Sequence, residues 1–165
     1  MDTNDQHMES LAMTLGTLLS AKNLTCATAE SCTGGMIGAA ITMVAGSSEW
    51  FNGGVIAYSN EVKTGLLSVP EQVLTDFGAV SAETVAAMAD GAATLLNSDC
   101  VIAVSGIAGP GGGTEEKPVG LVYFGIRAHG RTTARRFLFS GDRQSIRQAA
   151  TVQGLSLLIE QLSGT

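Results

Sequence analysis

Six consecutive residues, Glu30-Ser31-Cys32-Thr33-Gly34-Gly35, bring a carboxylate, two hydroxyls, a thiol and two glycines together directly after an apolar-leaning stretch. A serine hydroxyl is a weak nucleophile near neutral pH and needs a base beside it. Neither histidine, His7 or His129, falls in a segment expected at the end of a strand. Lys63, in the run Tyr58-Ser59-Asn60-Glu61-Val62-Lys63, is the better partner, because a lysine stripped of water loses its proton and can take one from Ser31. Tyr58 opens that run and is expected to point toward the same cleft. Against the pairing stands the ordinary fate of a lone lysine beside a helix, a solvated surface charge. Cys32 is the intrinsically stronger nucleophile near a helix start, or else a small buried hydrophobe like Cys26 and Cys100.

Gly34 and Gly35 let a ligand approach the backbone, and the N–H groups of a helix start can hold a phosphate or a developing oxyanion. With Glu30 and Thr33 they form a candidate substrate-contacting set. The spacing is neither a dinucleotide fingerprint nor a P-loop, and the same residues suit a capped helix packed closely on a sheet. A further hydroxyl, Ser105, is followed by the glycine-rich run Gly106 to Pro118, in which Gly109 is a candidate contact. Glu115, Glu116 and Lys117 read as solvated charges. Arg143 opens the last helix with Arg147 one turn on, and a cation there opposes the helix dipole. Phosphate capture by its planar fork explains that position, as does an ion pair with Asp142.

These residues need elements to position them. Apolar spacing of three and four predicts helices over about 7–22, from Thr33-Gly34-Gly35 through Val44, over 60–67, from a Ser68/Glu71 capping box to Gly78, from Ser81 to about Leu96, and after Asp142 to the end. Asn60 is read as the start of the 60–67 helix. Strands are predicted over 24–29, 53–59, 99–105, 119–127 and 131–140, the last two joined by a His129-Gly130 turn. Helices separate the first three strands and a hairpin joins the last two. This predicts a three-layer α/β/α sandwich with a mostly parallel, mixed sheet of about five strands. Ligands of such sheets bind beyond the carboxyl ends of the strands, where Ser31, the Tyr58–Lys63 run and Ser105 fall.

With 165 residues, 45% of them hydrophobic, the chain suits a single globular domain, 1–165. Nine basic against 15 acidic residues, net charge −6, argue against a nucleic-acid partner. Short apolar runs and a polar start argue against a membrane or a signal peptide, so a cytoplasmic protein is expected. Three cysteines without a CxxC pair support neither a disulfide framework nor a metal site. Trp50-Phe51 and Phe77 read as core or dimer contacts, and an exposed Trp-Phe pair would favour a homodimer.

Taken in order from about Leu11 to Leu162, the segments TAESCTGG, AGSSEWF, GGVIAYSNEVK, GAVS, AVSGIAGPGGG, EEKPVG and SGDRQSIR resemble the CinA C-terminal domain family. The resemblance implies an α/β/α fold and hydrolysis of the carboxamide of nicotinamide mononucleotide to nicotinate mononucleotide and ammonia, with no metal or redox cofactor. It assigns serine–lysine chemistry to Ser31 and Lys63, and a supporting hydroxyl to Ser105, where many relatives carry threonine. Arg143 falls on the arginine that would meet the nucleotide phosphate. Tyr58 or Ser105 would relay a proton, and N–H groups near Thr33 to Gly35 would receive the oxyanion. Larger members carry an additional pyrophosphatase-like domain, so no pyrophosphatase activity is expected of these residues. The alternative is a non-catalytic nucleotide-binding or interaction module, for which a paired serine and lysine would be unnecessary.

Overall fold

Five strands form one sheet in the order β2-β1-β3-β4-β5 in the computed structural model, which describes residues 1–164. They are β1 (Cys26–Glu30), β2 (Phe51–Ile56), β3 (Cys100–Gly106), β4 (Leu121–Ala128) and β5 (Arg131–Leu138). β1 pairs parallel with β2 and β3, and β4 runs antiparallel to both β3 and β5, so β4 alone is reversed. Helices α1 (Thr3–Lys22), α2 (Met36–Thr42) and α6 (Arg143–Ser163) cover one face. Helices α3 (Asn60–Leu67), α4 (Glu71–Phe77) and α5 (Ala82–Leu95) cover the other. This is the α/β/α sandwich that the strand and helix patterns imply.

Alternation along the strands divides the core in two. Cys26, Cys100, Ile102 and Val104 point into the α1/α2/α6 layer with Leu15, Ile41, Phe124 and Leu158. Ala27, Ala29, Val101 and Ala103 point to the α5 side with Val85, Met88 and Leu67. The second layer is built from small side chains, so α5 lies close on the sheet. A side chain at Gly125 of β4 would collide with the Val85 carbonyl of α5. α3 in turn packs on α5, where a Cβ at Gly91 would collide with the Leu67 carbonyl, and this close packing buries the lysine that α3 carries.

Local chemistry explains most element ends. The side chains of Ser81 and Asp142 accept the Thr84 and Ser145 N–H groups and start α5 and α6. His129 and Gly130 both take positive φ, 54° and 72°, as a tight hairpin turn requires. Two local readings change. The oxygen capping α3 belongs to Ser59, which accepts the Val62 N–H at 3.2 Å, although the helix does begin at Asn60. The Ser68/Glu71 capping box does not form: Ser68 adopts the left-handed conformation that ends α3, and Pro70 precedes α4. Pro70 fixes an extended entry and removes a donor, so α4 starts without a hydroxyl cap.

Trp50 is not part of an exposed pair. It is buried, and Gly16 of α1 packs so tightly on its indole that a Cβ at Gly16 would lie 2.6 Å from the ring. Phe51 is partly buried against the same layer. The exposed surface from which a Trp-Phe dimer contact was expected is therefore absent at this position. At the free edge of the sheet, β5 exposes Arg131, Arg135 and Arg136, charges that discourage edge-to-edge pairing. Among the described residues no helix is long and apolar enough to cross a membrane.

Candidate active site

At the carboxyl ends of β1 and β3, Ser31 and Ser105 sit side by side. The Ser31 N–H extends the ladder by donating to the Val104 carbonyl at 3.0 Å. Since Glu30 faces the α2 layer, the next residue turns to the opposite face, where α3 delivers Lys63. Lys63 and Leu67 lie four residues apart on the buried side of α3. The lysine is only 1% exposed, and its Nζ lies 3.3 Å from Ser31 Oγ and 3.2 Å from the Tyr58 carbonyl oxygen. No carboxylate among the described residues is within ion-pair distance of it. Burial pushes the amine below its usual pKa, and a nearby Cys32 charge would only partly restore it, so Lys63 gives up its proton more readily than a solvated lysine. The solvated-charge reading of Lys63 fails because its stem runs inward under α3.

The pair forms the floor of a cleft of about 280 Å³ that is also lined by Cys32, Tyr58, Ser105, Gly109 and Arg143. Cys32 is buried and its thiol is pushed up to about 11, so it is a neutral thiol at ordinary pH. Desolvation outweighs the favourable field of Arg147 and Lys63 there. Tyr58 contributes in two places. Its main-chain carbonyl meets the lysine, while its ring is 61% exposed and its hydroxyl accepts from an Arg143 Nη at 3.3 Å. The ring thus stands at the mouth, away from the amine. The other Arg143 Nη donates to the Gly109 carbonyl at 2.7 Å, and Arg143 makes no ion pair with Asp142. The glycine-rich loop is tied on its far side by Lys117, whose Nζ donates to the Phe77 carbonyl at the end of α4 at 2.7 Å. Lys117 is an anchor for the loop rather than a free solvated charge.

Glu30, Thr33, Gly34 and Gly35 do not line the cleft. Glu30 is 2% exposed and its carboxylate is fully engaged inside the fold. One oxygen accepts from Thr33 Oγ1 at 2.6 Å and the Ile37 N–H at 2.9 Å, and the other accepts the Gly38 N–H at 3.0 Å. An internal carboxylate therefore consumes the Ile37 and Gly38 amides at the start of α2, which a phosphate cradle there would need. Gly34 and Gly35, with φ of 60° and 103°, turn the chain from β1 into α2. The Gly34 N–H is spent on the Ser31 carbonyl at 3.0 Å, whereas the Cys32 and Thr33 N–H groups donate to no carbonyl or carboxylate among the described residues.

One residue of this site escaped the sequence reading. Arg147, expected beside Arg143, instead reaches back over the turn, its Nε and an Nη donating to the carbonyls of Cys32 and Thr33 at 3.0 and 3.1 Å. Its only signal in the sequence is its place one turn after Arg143 on the same helix face. Among the described residues, no three His, Cys, Asp or Glu side chains gather closely enough to hold a metal ion.

A three-layer domain with a buried serine–lysine pair at its strand ends defines the class of site. The chain belongs to the CinA C-terminal domain family, which it matches over residues 8–162. It is 46% identical over 158 residues to the nicotinamide-nucleotide amidohydrolase PncC of Escherichia coli K12, across 95% of this chain and 96% of that protein. It is 50% identical over 154 residues to a CinA-like protein of Endomicrobium trichonymphae, of which it spans only 36%. The crystal structure of the competence/damage inducible protein CihA from Agrobacterium tumefaciens superposes with a TM-score of 0.90 at 41% identity, covering 93% of this chain and 94% of that one.

Proposed function

We propose that this chain is an amidohydrolase that cleaves the carboxamide of nicotinamide mononucleotide, giving nicotinate mononucleotide and ammonia, with residues 1–165 acting as one amidase domain. The observation that carries the reading is the Lys63 amine, buried with no carboxylate partner among the described residues and 3.3 Å from Ser31 Oγ. Likeness to the Escherichia coli amidohydrolase over nearly the whole of both chains supports the substrate class.

In this mechanism neutral Lys63 takes the Ser31 proton as Oγ attacks the carboxamide carbon. The resulting oxyanion is received by the main-chain N–H of Cys32, the residue of the turn that lines the cleft beside Ser31, where one well-placed donor is worth about 3 kcal/mol. The Lys63 ammonium returns its proton to the departing nitrogen as the C–N bond breaks, with Ser105 beside Ser31 as the neighbouring relay. Water, deprotonated by the same lysine, then attacks the acyl carbon and releases the acid and free Ser31. Arg143, with the Tyr58 hydroxyl and the Gly109 carbonyl beside it, takes the nucleotide phosphate at the mouth and so orients the ring amide toward the floor.

Ammonia release from nicotinamide mononucleotide, its riboside and free nicotinamide tests the reading. The mononucleotide should be the best substrate, and Ser31→Ala should lower the rate by more than about 10³-fold, in the range seen when a nucleophile is removed. Wild-type protein that binds the mononucleotide without releasing ammonia would overturn the proposal in favour of a non-catalytic binding module.

A further inference from the structure

The guanidinium of Arg147 crosses from α6 to the turn between β1 and α2 and grips two successive carbonyls, those of Cys32 and Thr33. A peptide unit is planar and trans, so its N–H points opposite to its C=O. Holding the Cys32 carbonyl therefore fixes the direction of the Thr33 N–H, which has no carbonyl or carboxylate acceptor among the described residues. Holding the Thr33 carbonyl fixes the Gly34 N–H, which donates to the carbonyl of Ser31 itself at 3.0 Å. The turn contains Gly34 at φ 60° and Gly35 at φ 103°, and glycine backbone reorients cheaply unless something outside it sets its planes. Glu30 holds the helical end of the turn through Ile37 and Gly38, leaving the Ser31 end to Arg147.

We propose, resting on the acyl-transfer reading of Ser31, that Arg147 is a positioning residue: its fork sets the Thr33–Gly34 peptide plane, whose N–H holds the Ser31 carbonyl and thereby aims the Cys32 N–H, in the same peptide as that carbonyl, at the cleft. Arg147 does not line the cleft, so it acts on the reaction through the turn and not through substrate. Its charge also polarises both peptides toward the guanidinium and strengthens the N–H donors on their far sides. A lysine in its place is a single point donor and cannot span both carbonyls in one plane.

Two measurements on Arg147→Met and Arg147→Lys test this. The first is the kcat and KM for ammonia release from nicotinamide mononucleotide. The second is the rate at which a fluorophosphonate modifies Ser31, followed by intact mass. In that reaction the Oγ–P bond forms, fluoride leaves and the serine proton passes to Lys63, so it needs the nucleophile and the oxyanion donor but no nucleotide. Arg147→Met should lower kcat and the labelling rate together by about 100-fold, the scale of losing one oxyanion donor, with KM unchanged within about threefold. Arg147→Lys should recover part of both rates.

A raised KM with unchanged kcat would place Arg147 in substrate binding and overturn the proposal, as would a lowered melting temperature with wild-type kcat and labelling. If Arg147→Met does not fold, the same split read on Arg147→Lys decides. Wild-type labelling without hydrolysis of the mononucleotide would sink the substrate assignment while leaving the role of Arg147 readable. Unlabelled wild-type Ser31 would sink both.

Discussion

The floor and the mouth of the cleft are built on opposite principles. At the floor, Lys63 and Ser105 are each 1% exposed and Ser31 8%, and the surrounding turn is held by Glu30 from inside and Arg147 from α6. At the mouth, Arg143 is exposed, Tyr58 is 61% exposed, and a glycine loop supplies the partners. A dry, tightly connected floor can shift a pKa and keep dipoles fixed, because low polarity strengthens every charge interaction. A wet mouth can do neither, but it can capture a charged group and release it again. Under the proposed function, chemistry and affinity fall to different ends of a single cleft.

Replacing the amine at the floor should have the largest effect. Lys63→Met is expected to lower kcat by at least about 10³-fold, within the span of a lost general base. The same variant separates catalysis from stability. The folded lysine holds its proton less tightly than the unfolded one, whose ordinary value is 10.5. Between the lowered value and 10.5 the unfolded chain therefore carries the extra proton, and wild-type stability rises with pH through that window. Melting curves across that range should rise for wild type and flatten for Lys63→Met. The wild-type rate should likewise rise with pH as the amine becomes neutral. Wild-type activity in Lys63→Met would remove the contrast altogether.

At the mouth the expected effect is smaller and of a different kind. Arg143→Ala should raise KM for nicotinamide mononucleotide by about 10- to 100-fold, the worth of a lost charge-assisted hydrogen bond, with kcat little changed. The riboside, lacking the phosphate, should respond weakly. Wild-type KM should increase with salt because the arginine is exposed and screened. A fall in kcat alone would show that the two ends are not divided in this way.

The smallest effect is expected at the Cys32 side chain, since Cys32 acts through its main-chain N–H and not through its thiol. With its thiol pushed up to about 11, Cys32→Ala should keep kcat within about threefold, the margin allowed here for packing changes alone. Iodoacetamide at neutral pH should leave the wild type active, and loss of activity in both tests would move the nucleophile from Ser31 to its neighbour.

Much of this arrangement was legible in the chain. The switch from helical to alternating periodicity gives the elements and their order, and the ends of parallel strands gather Ser31, Lys63, Ser105 and Arg143. Even the burial of Lys63 left a trace, since it shares a helix face with Leu67 four residues on. Glu30 was harder. It looks like a site carboxylate beside Ser31, yet strand alternation sends it to the other face, where it caps amides seven and eight residues downstream. Ordinary capping signals act over about three residues, so this one matches no local pattern.

The sequence by itself determined what depends on neighbours along the chain: helix starts at Ser81 and Asp142, the His129-Gly130 turn, the alternation of strands and the residue types available to the site. Only the tertiary structure decided which of those residues would meet in the candidate site. Lys63 is buried because α3 packs on α5 and turns that side chain inward toward Ser31. Arg147 reaches carbonyls more than a hundred residues earlier because α6 crosses the turn after β1. Trp50 becomes core because Gly16 admits it. Desolvation and the orientation of peptide planes are set by groups distant in sequence, so spacing along the chain does not encode them.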